Sequence, residues 1–193
     1  MITRTVTGAD WDHDDLTGLS FERVAFVDID LTEAVGTGAT FTECTFRDSL
    51  FNVSQHSGSA FLNCVFTRCD LFDATFTDCK FVGSRFDRCA FGLTKVVGGD
   101  WSFVALHGAD LRKASFTGVR MREADLTGAR CQGATLHRVD LSCAVLDKAN
   151  LERCDLRGSD LSSVDPLTVS LKGALIDPDQ AMVLAAGLGL RFS

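Results

Sequence analysis

The sequence contains no tyrosine, only two prolines and no long apolar run. A membrane-spanning helix needs roughly 20 consecutive apolar residues, and no segment here approaches that length. No apolar stretch follows the first basic residue, Arg4, so we expect no secretory signal peptide. Eight cysteines are present, but without a signal peptide they predict reduced thiols in a cytoplasmic protein rather than a disulfide framework.

An excess of positive charge is also missing, since the formal net charge is −7. Direct binding to nucleic acid needs a basic surface, so we expect no such binding. The first fifty residues hold ten acids and three arginines, whereas the remainder is balanced. This acidic end has two interpretations that the sequence leaves open, namely solubility and the binding of a basic partner.

What the sequence does contain is a strict five-residue repeat. Counting in steps of five from Leu16 to Ile176, 25 of 33 residues are Leu or Phe, including twelve of the fifteen phenylalanines. The residue two places earlier is always small from Ala34 to Ala174, and the other three positions are mostly polar. This period fits neither an amphipathic helix nor an alternating strand. It predicts one large and one small buried side chain in every five residues.

A chain that turns a corner every five residues meets that demand, with successive coils stacked about 4.7–4.9 Å apart. The large side chains then form interior ladders that leave no space for a substrate. We expect residues 1–176 to form this coiled domain. One predicted core ladder consists of Phe21, Phe41, Phe61, Phe81, Trp101, Met121, Leu141 and Leu161.

The period ends at residue 177, and residues 177–193 form a separate tail. Asp177, Pro178 and Gln180 have the types expected at a helix start, and Gly187 is a plausible stop. The tail predicts a short helix from 178 to about 186 that caps the last coil. Its apolar residues exceed what a cap needs, so we expect a two-fold dimer, with capping inside one chain as the alternative. The predicted dimer interface is Met182, Val183, Leu184, Leu188, Leu190 and Phe192.

Signatures of catalysis and of cofactors are absent from the sequence. There is no nucleophile elbow, phosphate-binding loop, dinucleotide glycine motif or zinc-ligand spacing of Cys and His. Six cysteines occupy the small column and His56 occupies the large column, which is typical of packing. We therefore expect no enzyme activity, no cofactor, no metal and no small-molecule substrate.

Units such as 109–113, Ala-Asp-Leu-Arg-Lys, resemble those of the pentapeptide-repeat family. The resemblance covers nearly the whole chain and implies an all-β solenoid, a right-handed quadrilateral β-helix with four repeats per coil. With 20 residues per coil, it implies about eight coils. Residues 54–66 and the tail at 177–181 resemble the mycobacterial fluoroquinolone-resistance members, and the chain lacks the projecting loops of the Qnr members.

That resemblance implies a DNA-mimicking homodimer that binds DNA gyrase, modulates its supercoiling and lowers susceptibility to fluoroquinolones. Outward carboxylates would stand in for phosphates. The predicted gyrase-binding residues are Asp100, Asp125, Asp140, Asp155, Asp160 and Asp165. A second outward column, with Asp10, Asp30, Asp70 and Asp110, is the other candidate, and it lies nearer the acidic end.

Two other functions stay open from the sequence. One is a pentapeptide-repeat scaffold for a different partner. The other is self-protection of gyrase against a toxin or antibiotic made by the same cell. The sequence does not separate them.

Overall fold

The computed structural model describes residues 2–191, and the chain in this range forms a rod of stacked coils followed by one helix. Every strand pairing is parallel and joins residues twenty apart, such as Thr40 with Ala60 and Phe76 with Val96. One turn of the coil therefore takes twenty residues, or four repeats.

Four columns of pairing run along the rod and define four faces. Face 1 begins with β1 (Arg4–Thr7), β3 (Val24–Val27), β6 (Thr45–Arg47), β9 (Val65–Thr67) and β11 (Arg85–Asp87), and continues through single bridges at Ala105, Asp125 and Val145. Face 3 begins with a bridge at Asp15, continues through β4 (Val35–Thr37), β7 (Gln55–Ser57), β10 (Thr75–Thr77), β12 (Lys95–Val97), β13 (Ser115–Thr117) and β14 (Thr135–His137), and ends with bridges at Asp155 and Leu175.

The other two faces have fewer regular strands. Face 4 comprises β2 (Ser20–Glu22), β5 (Thr40–Thr42) and β8 (Ala60–Leu62), followed by bridges at Lys80, Asp100, Arg120 and Asp140. Face 2 consists of bridges alone, from Asp10 to Ser170 in steps of twenty. Eight such steps give about eight turns, and the parallel β-solenoid with four faces confirms the predicted fold.

The interior is filled by the two predicted kinds of side chain. Rings of one ladder stack along the axis, with centroids 4.8 Å apart for Phe41 and Phe61 and 4.6 Å apart for Phe61 and Phe81. The small column allows this packing because Ala34, Ala39 and their counterparts bring the backbone close to the axis. Burial of each large side chain contributes about 1.5–3 kcal/mol, so the ladders dominate the stability of the rod.

The corners of the coil use a left-handed backbone conformation. The residue two places after each large side chain has positive φ in most repeats, for example 53° at Glu43 and at Asp48. Most residue types avoid this region, although glycine adopts it freely. The recurring corner therefore explains why so many glycines of the sequence fall at this one position of the repeat.

Helix α1 (Pro178–Gly187) closes the C-terminal end, which confirms the predicted short helix. Gln180 is buried, and its Nε2 donates hydrogen bonds of 2.7 Å to the carbonyl oxygens of Leu156 and Ser159. Its Oε1 accepts from the Asp177 N–H at 2.7 Å. Across residues 2–191, no helix reaches the length and apolarity needed to cross a membrane.

Candidate functional site

The six predicted gyrase-binding aspartates lie on three faces of the rod rather than one. Asp100 and Asp140 are bridge residues of face 4 with Arg120 between them, and Asp160 follows one turn later, where its N–H donates to the Val139 carbonyl oxygen at 3.0 Å. Asp125 lies on face 1 and Asp155 on face 3, each as a bridge residue. Asp165 is forty residues, or two turns, after Asp125 and has no strand or bridge assignment. All six precede a large-column residue, so their side chains are directed outward.

Three of these six carboxylates are neutralised by neighbouring arginines. Arg120 Nη1 lies 3.0 Å from Asp100 Oδ2, and Arg122 Nε lies 2.6 Å from Asp140 Oδ2. Arg157 Nη2 lies 2.8 Å from Asp155 Oδ2. These pairs are partly exposed, so each contributes little to stability, but each reduces the negative field that a basic partner would meet.

Local contacts keep these aspartates ionised. Partial burial raises the pKa of Asp100 and of Asp140, but hydrogen bonds from serine and arginine outweigh it and hold both values below the ordinary one. The Arg157 hydrogen bond is the main reason that the pKa of Asp155 is lowered. At neutral pH these groups are carboxylates.

The remaining three predicted aspartates have free charge. Within residues 2–191, Asp125, Asp160 and Asp165 take part in no ion pair. Each accepts one backbone hydrogen bond from two residues later, at 2.8–2.9 Å. They are the members of the predicted set best able to meet a lysine or arginine of a partner.

That backbone bond is a structural role that the sequence reasoning missed. An aspartate before the large residue closes a local turn by accepting from the N–H two positions on, as Asp30 does with Thr32 at 2.9 Å and Asp70 with Phe72 at 3.0 Å. Aspartate and asparagine favour such turns, which is the signal that could have revealed it. The frequency of acids at this position is therefore explained in part by folding, and their number alone is weak support for a binding surface.

The second acidic column lies on face 2 and retains more free charge near its start. Asp110 is held by Arg112 and Arg130, whose atoms lie 2.7 and 3.0 Å away, and Arg112 chiefly lowers its pKa to about 2. Asp10, Asp30 and Asp70 have no ion-pair partner in the described part of the chain. The unpaired aspartates of this column thus belong to its N-terminal half.

The tail exposes most of the predicted dimer residues. Met182, Val183, Leu188 and Leu190 are 43–59 % exposed, whereas Leu184 is half-buried against the core. Phe192 lies outside the described residues. Sequence reasoning missed two exposed leucines before the helix, namely Leu167 and Leu175. Leu167 follows Pro166, which lies close to Gly187 at the end of α1, so it extends the same apolar end.

Comparison with known sequences identifies the repeat. The sequence profile of the family described as pentapeptide repeats matches residues 15–52, 57–88, 106–142 and 137–165, with eight copies. The chain belongs to the pentapeptide-repeat family. These matches cover most of the solenoid.

Two known proteins are similar to this chain over more than half of its length. The pentapeptide-repeat protein MfpA of Mycobacterium tuberculosis is 38 % identical over 112 residues, which is 58 % of this chain and 53 % of MfpA. The match thus spans about half the length of that relative. A trypsin-treated variant of QnrB1, described as a plasmid-mediated fluoroquinolone resistance protein, superposes with a TM-score of 0.56 at 22 % identity, covering 100 % of this chain and 99 % of QnrB1. The latter similarity supports the fold alone.

The repeats bury most of the cysteines and His56, the side chains that could otherwise indicate catalysis or metal binding. Cys44, Cys64 and four other cysteines are buried, and all eight are free thiols. His56 is buried beside Phe76, and among residues 2–191 no three His, Cys, Asp or Glu side chains form a metal-binding group. The predicted core ladder is buried from Phe41 to Leu161, and its first member, Phe21, is half-buried. Binding by the outer surface remains the activity that this geometry supports best.

Proposed function

We propose that this protein is a DNA mimic that binds DNA gyrase in the cytoplasm, inhibits or modulates its supercoiling and lowers fluoroquinolone susceptibility. The observation that carries the proposal is the combination of a filled rod with outward carboxylates and 38 % identity to MfpA. A rod without an interior site acts through its surface. Carboxylates on a rigid rod can occupy the positions of phosphates in a basic channel.

A comparison of charge density with that of DNA shows which charges of the rod can supply affinity for gyrase. Duplex DNA carries one negative charge per about 1.7 Å of axis. Eight turns at the spacing of stacked strands give a rod of about 40 Å, over which a net charge of −7 amounts to about one per 6 Å. Net charge alone is therefore a poor imitation of DNA. Discrete, unpaired carboxylates that meet lysines or arginines of gyrase must supply the affinity.

Within the proposed surface of six aspartates, the three unpaired members carry most of the binding. Gyrase cations can contact Asp125, Asp160 and Asp165 without first displacing an internal arginine. Asp100, Asp140 and Asp155 contribute less, because their arginines must move or share the carboxylate.

A supercoiling assay with purified gyrase tests the proposal. We expect micromolar protein to reduce supercoiling and to change the cleavage that a fluoroquinolone induces. Unchanged supercoiling and unchanged cleavage at that concentration would remove the gyrase hypothesis. Because salt screens exposed charges, the effect should weaken as ionic strength rises.

Two variants locate the acidic contact. Asp125→Asn/Asp160→Asn/Asp165→Asn keeps the oxygen that closes each turn and removes only the charge. This triple variant should need at least a tenfold higher concentration to inhibit supercoiling to the same extent. The matched variant Asp100→Asn/Asp140→Asn/Asp155→Asn removes three ion-paired charges and should reduce the inhibition less. The reverse order would place the binding surface elsewhere.

We also propose that two chains join through the C-terminal end. The exposed residues Met182, Val183, Leu188 and Leu190 form an apolar surface beside the half-buried Leu184. The variant Val183→Glu/Leu188→Glu should sediment as a monomer, whereas Val97→Glu on face 3, which also alters an exposed valine, should not change the association state. A dimeric double variant would show that the interface lies outside the tail.

A further inference from the structure

Face 2 carries a group of large apolar side chains that neither the fold nor DNA mimicry requires. Leu50, Val53, Phe72 and Leu93 lie on three successive turns and are 39, 39, 46 and 44 % exposed. We call these four residues the apolar patch. A group of exposed apolar side chains on one face marks an interaction site more often than single exposed residues do.

The backbone makes two of these residues unfavourable choices. Val53 and Leu93 both have φ of 60°, in the left-handed region where bulky and especially β-branched side chains are rare. The same corner is occupied by Glu33 one turn before and by Asp73 between them. Polar residues therefore suit this position. Val53 and Leu93 are unfavourable there, because a bulky side chain disfavours the left-handed backbone and an apolar one is exposed to water.

Phe72 packs against the face because Gly92, one turn further along, has no side chain and leaves room for the ring. A Cβ atom built on Gly92, one turn further along, would lie 3.0 Å from Phe72 Cδ2, so the ring extends over the Gly92 backbone. The next residue of this column, Arg112, reaches sideways to Asp110 instead of covering the ring. The aromatic side chain is thus presented in a restricted orientation, which reduces the entropy lost when a partner contacts it.

Acidic residues border and interrupt the apolar patch. Asp30 and Glu33 lie one turn before Leu50 and Val53 on the same face, and Asp70 and Asp73 flank Phe72. Asp73 is paired with Lys95 at 2.8 Å, whereas Asp70 contacts only a backbone N–H among the residues described. A complementary surface therefore presents apolar side chains next to lysine or arginine.

The combination of apolar and acidic side chains distinguishes between the possible binding partners of the apolar patch. An imitation of the DNA phosphates needs carboxylates but not an exposed phenylalanine, so the apolar patch adds a contact that DNA itself does not make. A second copy of the chain, paired antiparallel through this face, would bring Asp70 opposite Asp70 within an apolar contact, which is unfavourable. A protein surface that combines apolar and basic side chains fits both features.

We propose that the apolar patch with its acidic border is a second contact surface for gyrase, a protein–protein contact additional to DNA mimicry. This inference rests on the proposed function for the identity of the partner. Truncation of one apolar side chain at the centre of an interface often weakens binding more than tenfold. Charges at the border mainly affect the association rate and its salt dependence.

Binding of the full-length chain to purified gyrase tests it, at low and at high salt. Phe72→Ser/Leu93→Ser should weaken binding at least tenfold, by a similar factor at both salt concentrations, because an apolar contact is not screened. Asp125→Asn/Asp160→Asn/Asp165→Asn should instead lose affinity mainly at low salt. The matched control is Val35→Thr/Val97→Thr, which alters two valines of face 3 that are 41 and 47 % exposed and should bind like the unmodified chain.

The outcomes are distinguishable. If the unmodified chain binds gyrase and Phe72→Ser/Leu93→Ser binds equally well, the second contact is refuted while the proposed function stands. If the unmodified chain does not bind gyrase, the proposed function and the partner assigned here both fall. Sedimentation of the same variants completes the test, since a change of association state with gyrase binding unaltered would assign the apolar patch to a second copy.

Discussion

The two halves of the rod are filled by different side chains around one backbone path. Up to Trp101 the ladders consist mainly of stacked rings, with Phe46 and Phe66 at 4.9 Å and an interplanar angle of 6°. Beyond it the same positions hold mainly aliphatic residues such as Met121 and Leu141, with Phe116 as an aromatic exception. The pairing step stays at twenty residues throughout, as the bridges from Lys80 through Asp100 to Arg120 show.

The comparison shows what the repeat determines and what it leaves free. The alternation of large and small buried side chains determines the path of the coil, because aromatic rings and leucines fill the same large positions. The outer positions are not constrained in this way, and there the halves differ again. The first fifty residues carry the acidic excess and residues 51–193 are balanced in charge, while the exposed apolar side chains of the patch lie between Leu50 and Leu93.

The largest expected effect compares the two kinds of ladder directly. Phe61 stacks between Phe41 and Phe81 and is fully buried, and Leu141 is its counterpart in the other half. Phe61→Ala should lower the free energy of unfolding by about 4 kcal/mol and Leu141→Ala by about 3 kcal/mol. Denaturant unfolding followed by circular dichroism measures both. Equal losses would show that ring stacking adds nothing beyond burial.

Much of this fold could be predicted from the sequence because one period specifies it. The large and small columns determine the coil, and the change of composition at Asp177 marks the helix. The surface could not be predicted in the same way. Whether Asp100 is free or paired depends on the side-chain conformation of Arg120, and the bonds of Gln180 to Leu156 and Ser159 depend on how α1 folds back. Such contacts vary independently of the repeat.

The second prediction concerns His56, the imidazole that is buried in the aromatic half. His56 stacks on Phe76 at 5.3 Å, and burial lowers its pKa to about 4. In the unfolded chain its pKa is near 6.5. As the pH falls from 6.5 to 4, the unfolded chain binds a proton that the folded chain excludes, so stability decreases. The loss attributable to His56 is about 3 kcal/mol at and below pH 4.

Denaturant unfolding at pH 7 and pH 4 measures this effect. His56→Phe, which continues the ring stack, should remove that part of the pH dependence, whereas His107→Gln at an exposed position should keep it. The same pH dependence in His56→Phe and the unmodified chain would assign the acid sensitivity to other groups.

The third prediction addresses the end of the aliphatic half. Gln180→Ala removes the donors to two buried carbonyl groups and the acceptor of the Asp177 N–H. Loss of these bonds should cost about 2 kcal/mol and should increase hydrogen exchange in the last two turns before it affects the aromatic half. Gln132→Ala is the matched control, since the Gln132 Oε1 atom is buried without a hydrogen-bond partner among residues 2–191. Similar losses in both variants would argue against a specific role of Gln180.

The smallest expected effect tests whether the halves differ in their corners as well as in their interiors. Gly58 and Gly118 occupy the same corner of face 3, with φ of 57° and 65°, and an added Cβ would meet no atom within 4 Å at either. Gly58→Ala and Gly118→Ala should therefore each cost about 1 kcal/mol, arising from backbone strain alone. Thermal unfolding of the two variants measures the difference between them. A clearly larger loss for Gly58→Ala would mean that the aromatic ladder constrains the corner, so that backbone and interior are not independent.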